Sequence, residues 1–389
     1  MQQAKKIKIQ IKEKDKDALE FMQSKCRGLY NWWIAKLKSG ESWRVYEAKK
    51  TLQASKEYDP EINQVYGKLL AEVYFRIDKA MKVFFRRCKQ GEEKKGFPRF
   101  KARHQFFTLL YPAMYIKIKG NKIILPTGGK GKNKKFCNVV ATLTENPPEN
   151  FGEVAVSRDA RGSYYCSFVY ETEKSEPKEK PGILAVDLGI KTLACCVNEK
   201  KRFYHVGGFK GYSWYNKQLD KIRSKRDKCK KKSRRYLYLS QVYQRVSQKK
   251  RNKRNDSLHK ASHLISHKLA ESAVVIGDLS QRQMVEKSNN KYKNRTVFNE
   301  WGLYLFVQML SYKLFSLGKQ LFKISERDTS KECHQCHNTQ SMPLHKRTYK
   351  CPHCGMAMDR DENSALNILE RFLARLGPYV CTTACDVLG

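Results

Sequence analysis

Ile7, Ile9 and Ile11 alternate with charged or polar residues over Lys6–Lys12, the period of a half-buried β-strand. The period then changes. Over residues 15–38, Leu19, Met22, Cys26, Leu29, Trp33 and Leu37 recur at helical spacing, and Ile62, Val65, Leu69, Val73, Ile77, Met81 and Phe84 do the same from Glu61 to Cys88. Arg27 and Trp32 lie off the first stripe and are expected to face a nucleic acid or solvent. From Gly96 the pattern is β again. MYIKIKGNKIILP (114–126) reads as a hairpin turning at Gly120-Asn121, and EVAVSRDARGSYYCSFVYE (153–171) as one turning near Arg161-Gly162.

A polar, proline-containing linker, ETEKSEPKEK, separates this part from GILAVDLGIKTLACCV, two strands joined by a tight glycine turn. Between Lys217 and Arg254 there are 17 Lys and Arg against two acids, and Tyr236, Leu239, Tyr243 and Val246 give a helical stripe. A pair of helices, each with one packed and one basic face, is expected there. The strand AVVIGD, an apolar helix over Leu303–Leu317, a short strand over Gln320–Ile324 and a last helix beginning near Asp361 complete the chain. There is no internal repeat.

Charge changes the picture most. The 389 residues carry 78 Lys and Arg against 38 Asp and Glu, a formal net charge of +40. Such an excess repels itself in a compact fold, and a polyanion relieves it; nucleic acid fits best, because many distributed cations release many counterions. No stretch approaches ~20 apolar residues and the N-terminal residues are charged, so neither a membrane span nor a secretory signal is expected. With no export signal, the 13 cysteines point to a reducing cytoplasm and to metal rather than disulfides.

Four of those cysteines form paired knuckles, Cys333-x2-Cys336 and Cys351-x2-Cys354, with Gly355 after the second. Such spacing sets four thiolates around a structural Zn²⁺ with no open position. His334, His337 and His353 are read as bystanders, and Cys195 and Cys196 as strand core. Two acids stand out as well. Asp187 ends an apolar strand before Leu188-Gly189, and Asp361 starts a helix whose apolar face is Ala365, Leu366 and Leu369. An acid in a helix's first turn serves capping by default. Paired in one basic protein, the two acids suit Mg²⁺ ions clamping a phosphodiester.

VDLGIK, VVIGDL, TSKECHQC…CPHCG and DRDENSALNI occur in the order of the RuvC-type nuclease domain of TnpB proteins, relatives of the compact type V CRISPR effectors. GFPRFKAR (96–103), RNDSLHKAS (254–262) and the stretch Trp301–Gly318 also resemble that family. The resemblance implies an α+β, multidomain protein: an RNase H-like RuvC domain with a zinc ribbon, plus a small wedge β-barrel carrying a helical recognition insertion. In this chain that places the first wedge strand at 1–12, the recognition helices at 13–95 and the barrel at 96–170. After a linker at 171–181 come the RuvC domain (182–330, with the basic helices at 217–254), the ribbon (331–356) and a C-terminal helix and tail (357–389). Expected partners are a guide RNA and double-stranded DNA, with the chain as a monomer or an RNA-bound dimer in the cytoplasm, associated with the nucleoid. Phosphate contacts are expected from Arg99, Lys101, Arg103, Arg223, Lys225, Arg226, Lys230, Arg234, Arg235 and Arg254.

The chain departs from the family at one position. Where the family carries Glu-Asp-Leu, this chain has Gly277-Asp278-Leu279. Asp187 and Asp361 match the first and third catalytic carboxylates, but the second is missing. Strand side chains alternate faces, so Asp278 is expected to point away from the site. The sequence alone therefore predicts weak or absent Mg²⁺ and an RNA-guided DNA-binding protein that does not cut. Such a protein would regulate transcription by blocking a promoter or recruiting RNA polymerase or a sigma factor, and Gly277→Glu would revive cutting. The competing readings are an active Mg²⁺-dependent endonuclease using Asp278 or Glu286, and a guide-independent zinc-ribbon protein that binds nucleic acid.

Overall fold

The computed structural model describes residues 1–52, 59–91, 96–129, 131, 134–176, 182–279, 281–286, 290, 294–343 and 346–376. They divide into two units, Gln2–Glu171, and Met1 with Thr172–Gly389.

In the first unit, among the described residues, β1 (Gln2–Ile11) precedes the helices α1 (Glu13–Lys38), α2 (Val45–Lys50) and α3 (Gly67–Lys89). Six strands follow: β2 (Leu109–Pro112), β3 (Lys117–Lys119), β4 (Lys122–Leu125), β5 (Val139–Leu143), β6 (Phe151–Arg158) and β7 (Tyr164–Glu171). They form one curled sheet in the order β2-β6-β7-β1-β5-β4-β3. β1 pairs antiparallel with both β5 and β7, which is why its alternating isoleucines are buried. The first hairpin turns at Gly120-Asn121, where Lys119 opposes Lys122 and Gly120 takes φ +57°. The helix expected from Glu61 begins instead at Gly67, after a 3-10 turn at Pro60–Gln64. One placement is corrected. Arg27 is buried, its guanidinium held 3.0 Å from Gln23 Oε1 and 3.0 Å from Ser24 Oγ, so it does not face a ligand. Trp32 does reach the surface, with Lys36 Nζ 4.5 Å from its ring.

The second unit opens with β8 (Ile183–Leu188), β9 (Ala194–Asn198) and β10 (Phe203–Val206), followed by α4 (Tyr212–Asp227) and α5 (Arg234–His263). Then come β11 (Ala273–Gly277), α6 (Gln281–Glu286), α7 (Leu303–Ser316) and β12 (Gln320–Ile324). The chain ends in β13 (Thr348–Lys350), β14 (Ala357–Asp359) and α8 (Arg360–Leu376). The five-stranded sheet runs β10-β9-β8-β11-β12, the first three strands antiparallel and β8, β11 and β12 parallel, an RNase H-like arrangement. Both faces are covered, so its central strands read as unbroken apolar runs. On one face Leu184, Val186, Val274 and Ile276 pack with Leu258 of α5 and with Phe306 and Leu310 of α7. On the other, Ala185, Val275 and Ile324 pack with Ala365, Leu366 and Leu369 of α8. Among the described residues, no helix is long and apolar enough to cross a membrane.

Candidate metal centre and nucleic-acid surface

Strand parity decides what gathers at the C-terminal edge of the sheet. Asp187 lies two residues beyond Ala185 and Gly277 two beyond Val275, so both fall on the face that α8 covers. Gly277 pairs with Ile324 of β12, another residue of that face, and Glu326 lies two residues further on. Asp278 belongs to the opposite parity and is exposed, yet lies near enough to Glu326 to raise its carboxyl.

Glu326 fills the space that a side chain at 277 would need. A Cβ built on Gly277 would collide with Glu326 Oε2 and lie 2.8 Å from its Cβ and 3.1 Å from its Cδ. The occupying acid comes from the neighbouring strand end, just beyond β12. A glutamate at 277 would therefore enter an occupied volume unless Glu326 moves. Glu286, the other acid considered, is exposed on α6.

The electrostatics describe one cluster. Burial, with Asp361 nearby, pushes the Asp187 carboxyl up to about 7. Burial, with Asp187 and Asp278 nearby, pushes Glu326 up to about 8. Oε2 of Glu326 is buried and has no hydrogen-bond partner among the described residues. A buried carboxylate oxygen beside a second acid is the kind of group that suits a hard divalent cation. The same repulsion gives a signed prediction. Unfolded Asp and Glu titrate near roughly 3.9 and 4.3, so raised native values mean that the fold prefers the protonated acids. Without added Mg²⁺ the cluster's destabilisation should be absent below about pH 4, grow as pH rises and level off above about pH 8. Melting temperatures measured between pH 5 and 8.5 should therefore fall with pH, and Mg²⁺ should raise them most at the alkaline end.

α8 positions two of the acids. Asp359, not Asp361, caps it: Asp359 Oδ1 accepts from the backbone N–H of Asp361 at 2.8 Å. The Asp361 carboxylate is instead 2.8 Å from Arg347 Nη1 and 3.1 Å from Arg360 Nη2. One turn on, Ser364 Oγ donates to Asp187 Oδ1 at 3.1 Å and lies 3.0 Å from Thr329 Oγ1. Thr329 Oγ1 also donates to the Glu326 carbonyl at 2.9 Å, which ties the Glu326 loop to the helix. Asn367, 2 % exposed, donates from Nδ2 to the carbonyls of Thr329 and Glu332 at 2.7 and 2.8 Å. Asn367→Ala strands the Thr329 carbonyl and leaves that of Glu332 to Asn363 alone, and chemical denaturation should show a loss of about 1–3 kcal/mol.

The four knuckle cysteines come together as expected, their Sγ atoms all within 4.8 Å of one another. The pairs Cys333–Cys354 and Cys336–Cys351 are each 3.6 Å apart. Zn–S bonds of ~2.3 Å in a tetrahedron require roughly 3.8 Å between sulfurs, so the cluster is able to hold Zn²⁺. Backbone N–H groups of Cys354 and His353 hold the Cys351 thiol down to about 6, favouring the thiolate. His337 pairs with Glu332 at 3.1 Å rather than joining the ligands. Cys195 and Cys196 are buried in β9.

The proposed phosphate contacts fall on two surfaces. Arg99, Lys101 and Arg103 are exposed on the Gln2–Glu171 unit. On the other unit Arg223, Lys225, Lys230, Arg234 and Arg235 are exposed along α4, α5 and their junction. Arg226 and Arg254 are half-buried, and Arg226 Nη2 pairs with Asp227 at 2.8 Å.

The unit thus combines an RNase H-like sheet with a four-cysteine cluster able to hold zinc. Residues 304–368 match the family model described as "Cas12f1-like, TNB domain", and residues 167–288 match the one described as "Probable transposase". The TnpB-like protein L770 of Acanthamoeba polyphaga mimivirus is 29% identical over 274 residues, 65% of this chain and 50% of the relative. The TnpB-like protein MJ0751 of Methanocaldococcus jannaschii is 24% identical over 282 residues, 66% of this chain and 93% of the relative. The chain spans about half the length of the first two mimivirus relatives, 50% and 49%. Among solved structures, a Cas12f1-sgRNA-target DNA complex aligns with TM-score 0.61 at 12% identity, over 95% of this chain and 98% of that one. The mini-RNA-guided endonuclease CRISPR-Cas_phi3 aligns with TM-score 0.54 at 10% identity, over 95% and 92%. These matches make the chain similar to TnpB proteins and to the compact type V effectors.

Proposed function

We propose that this protein is an RNA-guided DNA endonuclease whose catalytic carboxylates are Asp187, Asp361 and Glu326. The single observation that carries this reading is the unpartnered Glu326 carboxylate in the volume left by Gly277. A site drifting toward inactivity has no reason to bury an acid against Asp187, where both carboxyls are disfavoured as anions. Guide RNA and target DNA are the partners of the Cas12f1 structure that shares this fold, and a charge of +40 suits both.

Bound Mg²⁺ would supply an activated water and neutralise the leaving oxygen of a phosphodiester. The chain's own part is to hold three acids in register: β8 and the β12 loop fix Asp187 and Glu326, α8 fixes Asp361, and Ser364 orients Asp187. Guide pairing would read the sequence, while Lys and Arg hold backbones and a short duplex motif is read by the protein. This reading needs no recruited RNA polymerase or sigma factor.

One observation favours the silent, regulatory alternative: Arg347 and Arg360 already neutralise Asp361. The deciding experiment is the RNA-loaded protein with Mg²⁺ and matched DNA. Cleavage that vanishes in Asp187→Ala supports an endonuclease. Guide-dependent binding without cleavage contradicts it, and a preparation that binds DNA with no co-purifying RNA returns the guide-independent reading.

A further inference from the structure

Two clefts of the Thr172–Gly389 unit share Tyr212, Arg295 and Glu300 as lining. The smaller, about 360 Å³, is basic, with Arg223, Lys250, Arg251 and Arg254. The larger, about 640 Å³, has apolar lining from Ile190, Leu193, Phe209 and Trp301, together with Lys191, Lys210 and Lys217. Both volumes lie within the range of small-ligand pockets, roughly 300–1,000 Å³.

Two polar groups mark the larger cleft as a site for something with hydrogen-bonding edges. Trp301 is 3 % exposed, and its indole N–H is buried with no acceptor among the described residues. Buried donors are paired in nearly all folded proteins, so an acceptor on a bound group would satisfy this one. Glu300, 1 % exposed, is held by Lys250 Nζ at 2.8 Å and Asn216 Nδ2 at 2.6 Å. A flat, partly apolar group carrying acceptors and donors, joined to an anion, fits both halves. A nucleotide is such a group.

We propose that the paired clefts seat one nucleotide turned out of a nucleic-acid strand, with its base in the larger cleft beside Trp301 and its phosphate on the cations of the smaller. Bases leave the stack readily in single-stranded loops and ends, where aromatic side chains take them up. Ile190 and Lys191 belong to the loop that leaves the Asp187 strand, so the occupant borders the catalytic edge of the sheet. The site deepens the nucleic-acid reading above and rests on it.

The test is ultraviolet crosslinking of the RNA-loaded protein as isolated, with adducts mapped by mass spectrometry. A nucleotide adduct is expected on a peptide carrying Tyr212 or Trp301. Ser213→Trp, at an exposed position lining the larger cleft, should reduce that adduct about tenfold without lowering the melting temperature. Trp301→Phe keeps a ring but removes the N–H, and should weaken the adduct about threefold to tenfold. Parallel arms with a mixed-sequence single-stranded DNA and with AMP and GMP identify the source. An adduct in the RNA or DNA arm supports the site and names the strand, whereas adducts from free mononucleotides alone overturn it. Adducts on the Arg234–Arg235 helix with none in the clefts also overturn it while leaving the nucleic-acid reading intact. No adduct anywhere on the chain sinks both.

Discussion

Glu326→Ala should abolish Mg²⁺-dependent DNA cleavage by the RNA-loaded protein while leaving guide-directed binding within a few-fold. The substitution removes one of three acids able to hold metal and the one whose free oxygen is buried beside Asp187. Loss of an essential group of a concerted site costs orders of magnitude, and a fall of roughly 10³-fold or more in cleavage rate is expected. Glu326→Gln should be nearly as damaging, since it keeps the volume but loses the charge. Stability should move the other way. Without Mg²⁺ the alanine variant relieves repulsion on Asp187, so it should melt higher than the parent at pH 8 and much like it near pH 5. A structural glutamate would show neither pattern.

The second large effect concerns the ribbon. Cys333→Ser or Cys351→Ser should lower bound zinc from one per chain to near none, measured by elemental analysis. Structural zinc supplies folding free energy on the order of 10 kcal/mol in isolated fingers, and so small a segment has little core of its own. Beyond Cys333 and Cys351, the buried set here is Tyr349. The damage should reach the acids. Glu332, one residue before the first knuckle, gives its carbonyl to Asn363 and Asn367 of α8 at 2.7 and 2.8 Å. Thr329, on the same stretch, links Glu326 to Ser364. Releasing the ribbon loosens the Glu326 loop, so cleavage should fall at least about 100-fold. Undiminished cleavage by zinc-free protein would separate ribbon from site.

Much of this was legible in the chain. The isoleucine alternation of β1, both hairpin turns, the basic helix pair and the CxxC knuckles each follow from a local rule, and the structure obeys them. Asp187 was legible because an acid closing an apolar run before a glycine turn is a local signal. Glu326 was not, because SERDTSKEC reads as a polar loop. Its meaning depends on which strand lies beside β11 and in what register, a tertiary fact. A faint signal existed: Glu326 continues the parity of Ile324 just as Asp187 continues that of Ala185. Gly277 gave no hint of its neighbour for the same reason, since an absent side chain shows no sign that another fills its place. The buried polar face of α8, with Asn363, Ser364 and Asn367, likewise has no local sequence signal. Its purpose appears only when the carbonyls it satisfies are in place.

The most direct measurement exchanges the two positions. Cleavage of matched DNA would be compared for the parent, Gly277→Glu, Glu326→Ala and the double variant Gly277→Glu/Glu326→Ala, each loaded with the same RNA. If Glu326 serves as the displaced carboxylate, the parent cuts, Glu326→Ala is dead, and Gly277→Glu alone is impaired by collision. The double variant should then recover part of the parent's rate. A parent that binds but never cuts, joined to a Gly277→Glu variant that does, would contradict the account.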